Sequence, residues 1–158
     1  MIDGIREKYD PAARLVRPHI TLVFPFVSAL GADAVRDHMR EALKGVPPFA
    51  IALQGISAQR GFGNYLLLNV HVGKNTIKQL HRKLYSGILE PFKPVWCRTY
   101  EPHLTVGRME DADTFERALE DTKSVDERFE TIVNKICVEV IEADGSSTIE
   151  TVVPLAGL

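Results

Sequence analysis

Two short stretches of this sequence carry the residue types that acid–base chemistry needs: His19-Ile20-Thr21-Leu22 and His103-Leu104-Thr105-Val106. Each is an imidazole, an apolar residue, a hydroxyl and a second apolar residue. Side chains of extended backbone alternate between faces, so His and Thr share one face while the apolar pair anchors the other. A single His beside a Thr on a strand is ordinarily a satisfied structural pair. Two copies, 84 positions apart in 158 residues, point to a duplicated unit with a site between the copies. A pair of imidazoles supplies one general base and one general acid, which phosphoester chemistry requires. With an ordinary pKa of about 6.5, one histidine can be neutral while its partner is protonated near neutral pH.

Other chemical candidates are weaker. Phe62 stands between Gly61 and Gly63, where packing does not need an aromatic. It reads either as a loop tip folded onto the surface or as a stacking platform for a base, since bases stack on aromatics without sequence preference. His81 borders the apolar stripe of a helix and reads as a packed or surface residue rather than a ligand.

The elements that must position these residues follow from periodicity. Residues 2–9 read as a helix broken by Asp10-Pro11, and 19–24 as the first His strand, stopped by Pro25. Residues 32–44 form an amphipathic helix that Gly45 and Pro47-Pro48 end. Strands over 49–58 and 65–72 make a hairpin with a glycine-rich tip. Asn75 is the expected cap of a helix over 76–89, and 91–96 an irregular connection. The second His strand begins after Pro102, as the first begins after Pro18. Asp113 with Glu116 resembles a capping box for a helix over 114–121. A long strand over 129–141, a turn at Asp144-Gly145 and a strand over 148–153 complete the chain.

Set side by side, the halves 1–73 and 74–158 repeat the order helix, Pro-His-x-Thr strand, helix, strand, hairpin, strand. Helices mixed with antiparallel hairpins predict an α+β fold, one bilobal domain over 1–158. Its two similar lobes of antiparallel sheet with flanking helices are related by a pseudo-two-fold axis, and His19 and His103 face each other across the cleft between them.

Composition sets bounds. Hydrophobic residues at 45% and charged residues at 25% are those of a globular protein. A net charge of −2 excludes a dedicated, salt-driven nucleic-acid binder but not an enzyme that meets one phosphate at a time. The charge is uneven, with six basic residues against one acid over 74–98 and thirteen acids against four bases over 110–150. These read as solvated faces of opposite sign, or the basic stretch helps attract a polyanion. Two distant cysteines, Cys97 and Cys137, make neither a disulfide framework nor a metal-ligand spacing. No apolar run approaches a membrane span and no signal core opens the chain, so a reduced, cytoplasmic protein is expected.

With those motifs in hand, the chain resembles the 2H phosphoesterases, which include bacterial RNA cyclic phosphodiesterases and 2'-5' RNA ligase-like proteins. His19-Ile20-Thr21-Leu22 and His103-Leu104-Thr105-Val106 carry the likeness, and Pro18-His19-Ile20-Thr21-Leu22-Val23-Phe24-Pro25-Phe26 resembles the bacterial branch. The resemblance implies metal-independent action, without a cofactor, on 2',3'-cyclic phosphates or 2'-5' phosphodiester bonds of RNA or nucleotides. It implies His19 and His103 as the acid–base pair and Thr21 and Thr105 as ligands of phosphate oxygens. Arg108 matches a basic position that some members use on the phosphate, while Phe24 stands at the equivalent place after His19. Members usually carry a strand before the first helix, and this sequence opens with the helix. That departure predicts a first sheet one strand short, its edge covered by the 148–153 strand or by a second copy in a homodimer.

Two rivals belong to other classes. In one, the same fold binds a nucleotide or phosphate without turnover. In the other, His19 and His103 bind a metal with His71 or His81, although no carboxylate or thiolate stands at ligand spacing beside them.

Overall fold

The computed structural model describes residues 1–156. Its helices are α1 (Ile2–Tyr9), α2 (Ala32–Ala42), α3 (Lys74–Leu84) and α4 (Ala112–Thr122), with a 3-10 turn over Gly87–Phe92. Its strands are β1 (Phe49–Gln59), β2 (Asn64–Val72), β3 (His103–Met109), β4 (Phe129–Val133), β5 (Lys135–Ile141) and β6 (Ser147–Pro154).

The β1–β2 hairpin is the centre. Leu66, Leu68 and Val70 alternate inward along β2, and Ile51 and Leu53 face the same core from β1. β3 adds antiparallel to β2 and β4 antiparallel to β1, giving a sheet in the order β3-β2-β1-β4. β5 and β6 pair in a second, two-stranded antiparallel sheet. The fold is α+β, with two antiparallel sheets and flanking helices. The larger sheet draws β1 and β2 from the first half of the sequence and β3 and β4 from the second, so the halves interleave.

Two apolar clusters hold these layers. Tyr9 of α1, Ile77 of α3 and Phe115 of α4 pack on the larger sheet around Leu66 and Val106, both fully buried. Met39 and Leu43 of the α2 segment meet Leu80 and Leu84 of α3 and Val153 of β6 in the other. α3 therefore serves both clusters and ties the sheets together.

Several boundaries differ from the sequence reading. The expected strand over 19–24 is a single antiparallel bridge, Ile20 to Leu104, on the free edge of β3. The expected strand over 129–141 divides at Asn134: β4 stays with the larger sheet and β5 begins the smaller one. Asn134 marks the exchange because its carbonyl accepts the Leu155 N–H at 2.8 Å. β6 is paired to β5, so it does not cover an edge of the larger sheet. α3 starts earlier than expected, capped by Gly73 rather than Asn75. Gly73 has φ 81°, and a Cβ there would lie 2.7 Å from the Ala50 carbonyl oxygen, so glycine alone suits the turn. At α4 the cap is Asp111, whose side chain accepts the Thr114 N–H at 2.7 Å, which leaves Asp113 inside the first turn.

Candidate functional site

The two histidines are held in the same way. His19 Nδ1 lies 2.8 Å from the Arg17 carbonyl oxygen, and His103 Nδ1 lies 2.8 Å from the Glu101 carbonyl oxygen. Proline between each carbonyl and its histidine explains the repeat. It fixes φ and keeps the residue before it extended, so the carbonyl two positions back turns toward the ring. A carbonyl only accepts, so Nδ1 carries the proton in both rings and Nε2 is the nitrogen left for chemistry.

The Ile20–Leu104 bridge sets the rest of the geometry. In an antiparallel pair the neighbours of a bridged pair also face each other, so His19 stands opposite Thr105 and Thr21 opposite His103. All four side chains lie on the face away from Ile20 and Leu104. The histidines are diagonal neighbours, a relation that separates residues by roughly 7–8 Å. His19 is exposed and His103, Thr21 and Thr105 are half-buried, so the face is open to solvent.

Arg108 reaches the same face through an irregularity. An odd offset of five would place it opposite His103 in a regular strand. β3 pairs Thr105 with Leu67 but Gly107 with Leu66, so Val106 is an extra residue in a bulge. Beyond the bulge the parity reverses, and Arg108 pairs with Tyr65, on the side shared by Leu67, Asn69 and the two motifs. Gly107 then faces the core, where a Cβ would come within 3.3 Å of the Tyr9 Cβ and 3.4 Å of the Leu66 Cβ. Phe62, 91% exposed, stands at the hairpin tip, near the Arg108 end of β3 rather than between the histidines.

Sequence reasoning missed the residues that secure this face. Asn69, opposite His103, accepts from Ser57 Oγ at 2.8 Å and donates to the Gly55 carbonyl at 3.0 Å. The segment after His19 lacks a strand partner, and buried backbone groups need one. Side chains supply it. Tyr100 Oη donates to the Thr21 carbonyl at 2.7 Å, and His81 Nδ1 stands 2.7 Å from the Leu22 carbonyl. The Phe24 N–H donates to Tyr85 Oη at 2.8 Å. His81 and Tyr100 stack with ring centroids 3.8 Å apart. Burial pushes the His81 pKa below its ordinary value, outweighing the carbonyl contact, so this ring is a neutral donor. Burial likewise raises the Tyr100 and Tyr85 hydroxyls, which stay protonated. Upstream, Arg6 and Asp10 form a buried pair at 2.9 Å, and Arg6 also donates to the Val16 carbonyl at 2.9 Å. That clasp fixes the approach to Arg17 and His19.

Charge around the site is partly committed. Lys74 and Lys78 of α3 both grip the Glu101 carboxylate, and holding its charge this way lowers its pKa. Two of the basic residues over 74–98 therefore serve to fix the residue whose carbonyl holds His103. Arg17 stands 4.0 Å from Glu139 of β5. His71 Nε2 is 3.0 Å from the Gln54 carbonyl, and among the described residues no three His, Cys, Asp or Glu side chains cluster as a metal site. Concavities of about 360 Å³ beside β4 and about 510 Å³ between α1 and α4 contain none of the motif residues. The motifs stand on an open face rather than in either hollow. Among the described residues no helix is long and apolar enough to cross a membrane.

Comparison with known proteins places the fold and the family. A Bacillus licheniformis protein named "putative phosphoesterase" is 30% identical over 148 residues, 93% of this chain and 85% of its own. A like-named protein of Halalkalibacterium halodurans is 27% identical over 150 residues, 94% of this chain and 85% of its own. A crystal structure from Thermus thermophilus shares the fold with a TM-score of 0.69 at 15% identity, covering 99% of this chain and 90% of that one. Residues 1–145 match the 2'-5' RNA ligase superfamily, and the chain belongs to that family, the 2H phosphoesterases.

Proposed function

We propose that the protein is a phosphoesterase that hydrolyses 2',3'-cyclic phosphates or 2'-5' phosphodiester bonds of RNA or nucleotides. The observation that carries the reading is the Ile20–Leu104 bridge, which sets two identically tethered His-x-Thr motifs on one face. The neutral imidazole takes a proton from water through Nε2 as the water oxygen bonds to phosphorus. The protonated imidazole gives its proton to the departing ribose oxygen as the old P–O bond breaks. Thr21 and Thr105 hydroxyls hydrogen-bond the non-bridging oxygens, and the Arg108 guanidinium neutralises charge that grows there. Positioning does much of the work, because a five-membered cyclic phosphate is already strained. Phe62 is a candidate contact for a strand longer than one nucleotide. No step in this scheme calls for a metal or cofactor.

The alternative within the same fold is a module that binds a nucleotide without turnover. Incubating the purified protein, with and without a chelator, with 2',3'-cyclic nucleotides and 2'-5' dinucleotides decides between them. Hydrolysis that survives the chelator and is lost in His19→Ala supports the enzyme. Binding without product overturns it.

A further inference from the structure

Residues 93–101 arrive at the second motif with little backbone support. Among the described residues, their main chain finds main-chain partners only within itself and at Glu90. Yet the last two of them hold both motifs. Tyr100 Oη donates to the Thr21 carbonyl at 2.7 Å, and the Glu101 carbonyl accepts from His103 Nδ1 at 2.8 Å. A carbonyl orients a ring only as well as its own peptide is fixed, so the support must come from outside the segment. It comes from one face of α3. Lys74, Lys78 and His81 stand at offsets of four and three, along one stripe of the helix. Lys74 Nζ meets one oxygen of the Glu101 carboxylate at 3.3 Å, and Lys78 Nζ meets the other. His81 lies flat on Tyr100, the two rings 2° from parallel. The helix itself is firm, because Ile77 packs in one apolar cluster and Leu80 and Leu84 in the other. An exposed ion pair ordinarily contributes little. Here two lysines share one carboxylate, and the Lys78 side chain is only 25% exposed. At the first motif the corresponding residue, Arg17, has a carboxylate no nearer than 4.0 Å.

Resting on the phosphoesterase reading, we propose that Glu101 is a positioning residue for His103, clamped to α3 by Lys74 and Lys78. Because Tyr100 stands next to it, the same clamp sets the spacing between the two motifs. The Glu101 side chain touches no substrate and acts through its own carbonyl. Lys74 and Lys78 are then committed to that carboxylate rather than to the phosphate, although they belong to the basic stretch of the sequence.

Glu101→Gln keeps the carbonyl and the size of the side chain and removes its charge. With 2',3'-cyclic AMP it should lower kcat about five- to fifty-fold, between the worth of an ion pair and the cost of an ångström of misplacement, and leave KM unchanged. The double variant Lys74→Met, Lys78→Met should lose as much, and the triple variant no more, because the three side chains act as one contact. Lys123→Met, which breaks an exposed pair with Glu120, should leave kcat as it is. An unchanged kcat in Glu101→Gln, additive losses, or a lysine effect confined to KM would overturn the clamp; the last would make the lysines ligands of the substrate. Nitrogen NMR of the imidazoles at alkaline pH reads the tether without turnover. His103 should keep its proton on Nδ1 in the wild type and divide it between the two nitrogens in Glu101→Gln. Identical His103 spectra in the two proteins would also overturn the clamp. Should the wild type hydrolyse no cyclic nucleotide, the phosphoesterase reading fails, and these spectra still decide the clamp.

Discussion

Each imidazole is oriented by the carbonyl two residues before it, across a proline, and this local device makes the pair legible without a structure. Pro18-His19 and Pro102-His103 bring their own tethers. His19→Ala and His103→Ala should each cut turnover of a cyclic nucleotide by about a hundred- to ten-thousand-fold, the usual worth of a general acid or base. The double variant should be little slower than the poorer single one, since the two act as a unit. Rate assays beside circular dichroism check this, and additive losses would speak against a shared site. Arg108→Ala should lower kcat/KM by about ten- to a hundred-fold, the worth of a charged hydrogen bond. Arg108→Lys should recover only part of it, because a point charge does not replace a fork that fits two oxygens.

At the scale of elements, sequence and structure part where long-range partners decide. Helices and the β1–β2 hairpin are read from periodicity within one segment. The strand over 19–24 is not, because β3 extends only one bridge to it and side chains from α3 and the 85–100 segment do the rest. Nothing in His81, Tyr85 or Tyr100 announces that role, although Tyr100 stands two residues before Pro102. The family resemblance singles out Arg108, but its odd offset makes sense only with the bulge at Val106, which the pairing of β2 imposes. The division at Asn134 is likewise a choice between sheets that a run of strand-forming residues does not reveal. His81 gives the tether scheme a pH signature. Its folded pKa lies below the ordinary value of about 6.5 that the unfolded chain has, so the unfolded state binds more protons between the two values. The stability it supports is full above pH of about 6.5 and is lost as pH falls through the folded value. Melting temperatures from pH 7.5 to 5 should therefore fall more steeply in the wild type than in His81→Gln, which keeps a donor for Leu22. The carboxylates with lowered pKa, Glu101, Asp111, Asp121 and Asp144, start from 3.8 to 4.5 and lose their contribution below that window.

For the whole molecule, the smaller sheet leaves Ile141, Ile149 and Val152 partly in water, and among the described residues no further strand pairs with either of its outer edges. We propose that a second copy covers one of these edges, in place of the first-lobe edge expected from the sequence. Light scattering over a range of concentrations should show a dimer, and a strict monomer at high concentration would remove the idea. The single bridge between the motifs has a consequence of another kind. His103 stands on a strand laddered to the centre of the sheet, whereas His19 stands on backbone moored by three side-chain hydrogen bonds and one bridge. Half of the site thus stands on a strand laddered to β2 and half on backbone that can open by itself. Native-state hydrogen exchange should find the β3 amides that bond to β2 released at higher free energy than those at positions 20–24, which open locally. The two histidines would come apart before the protein does, so on the proposed function heat should abolish turnover at a temperature below the one that melts the sheet.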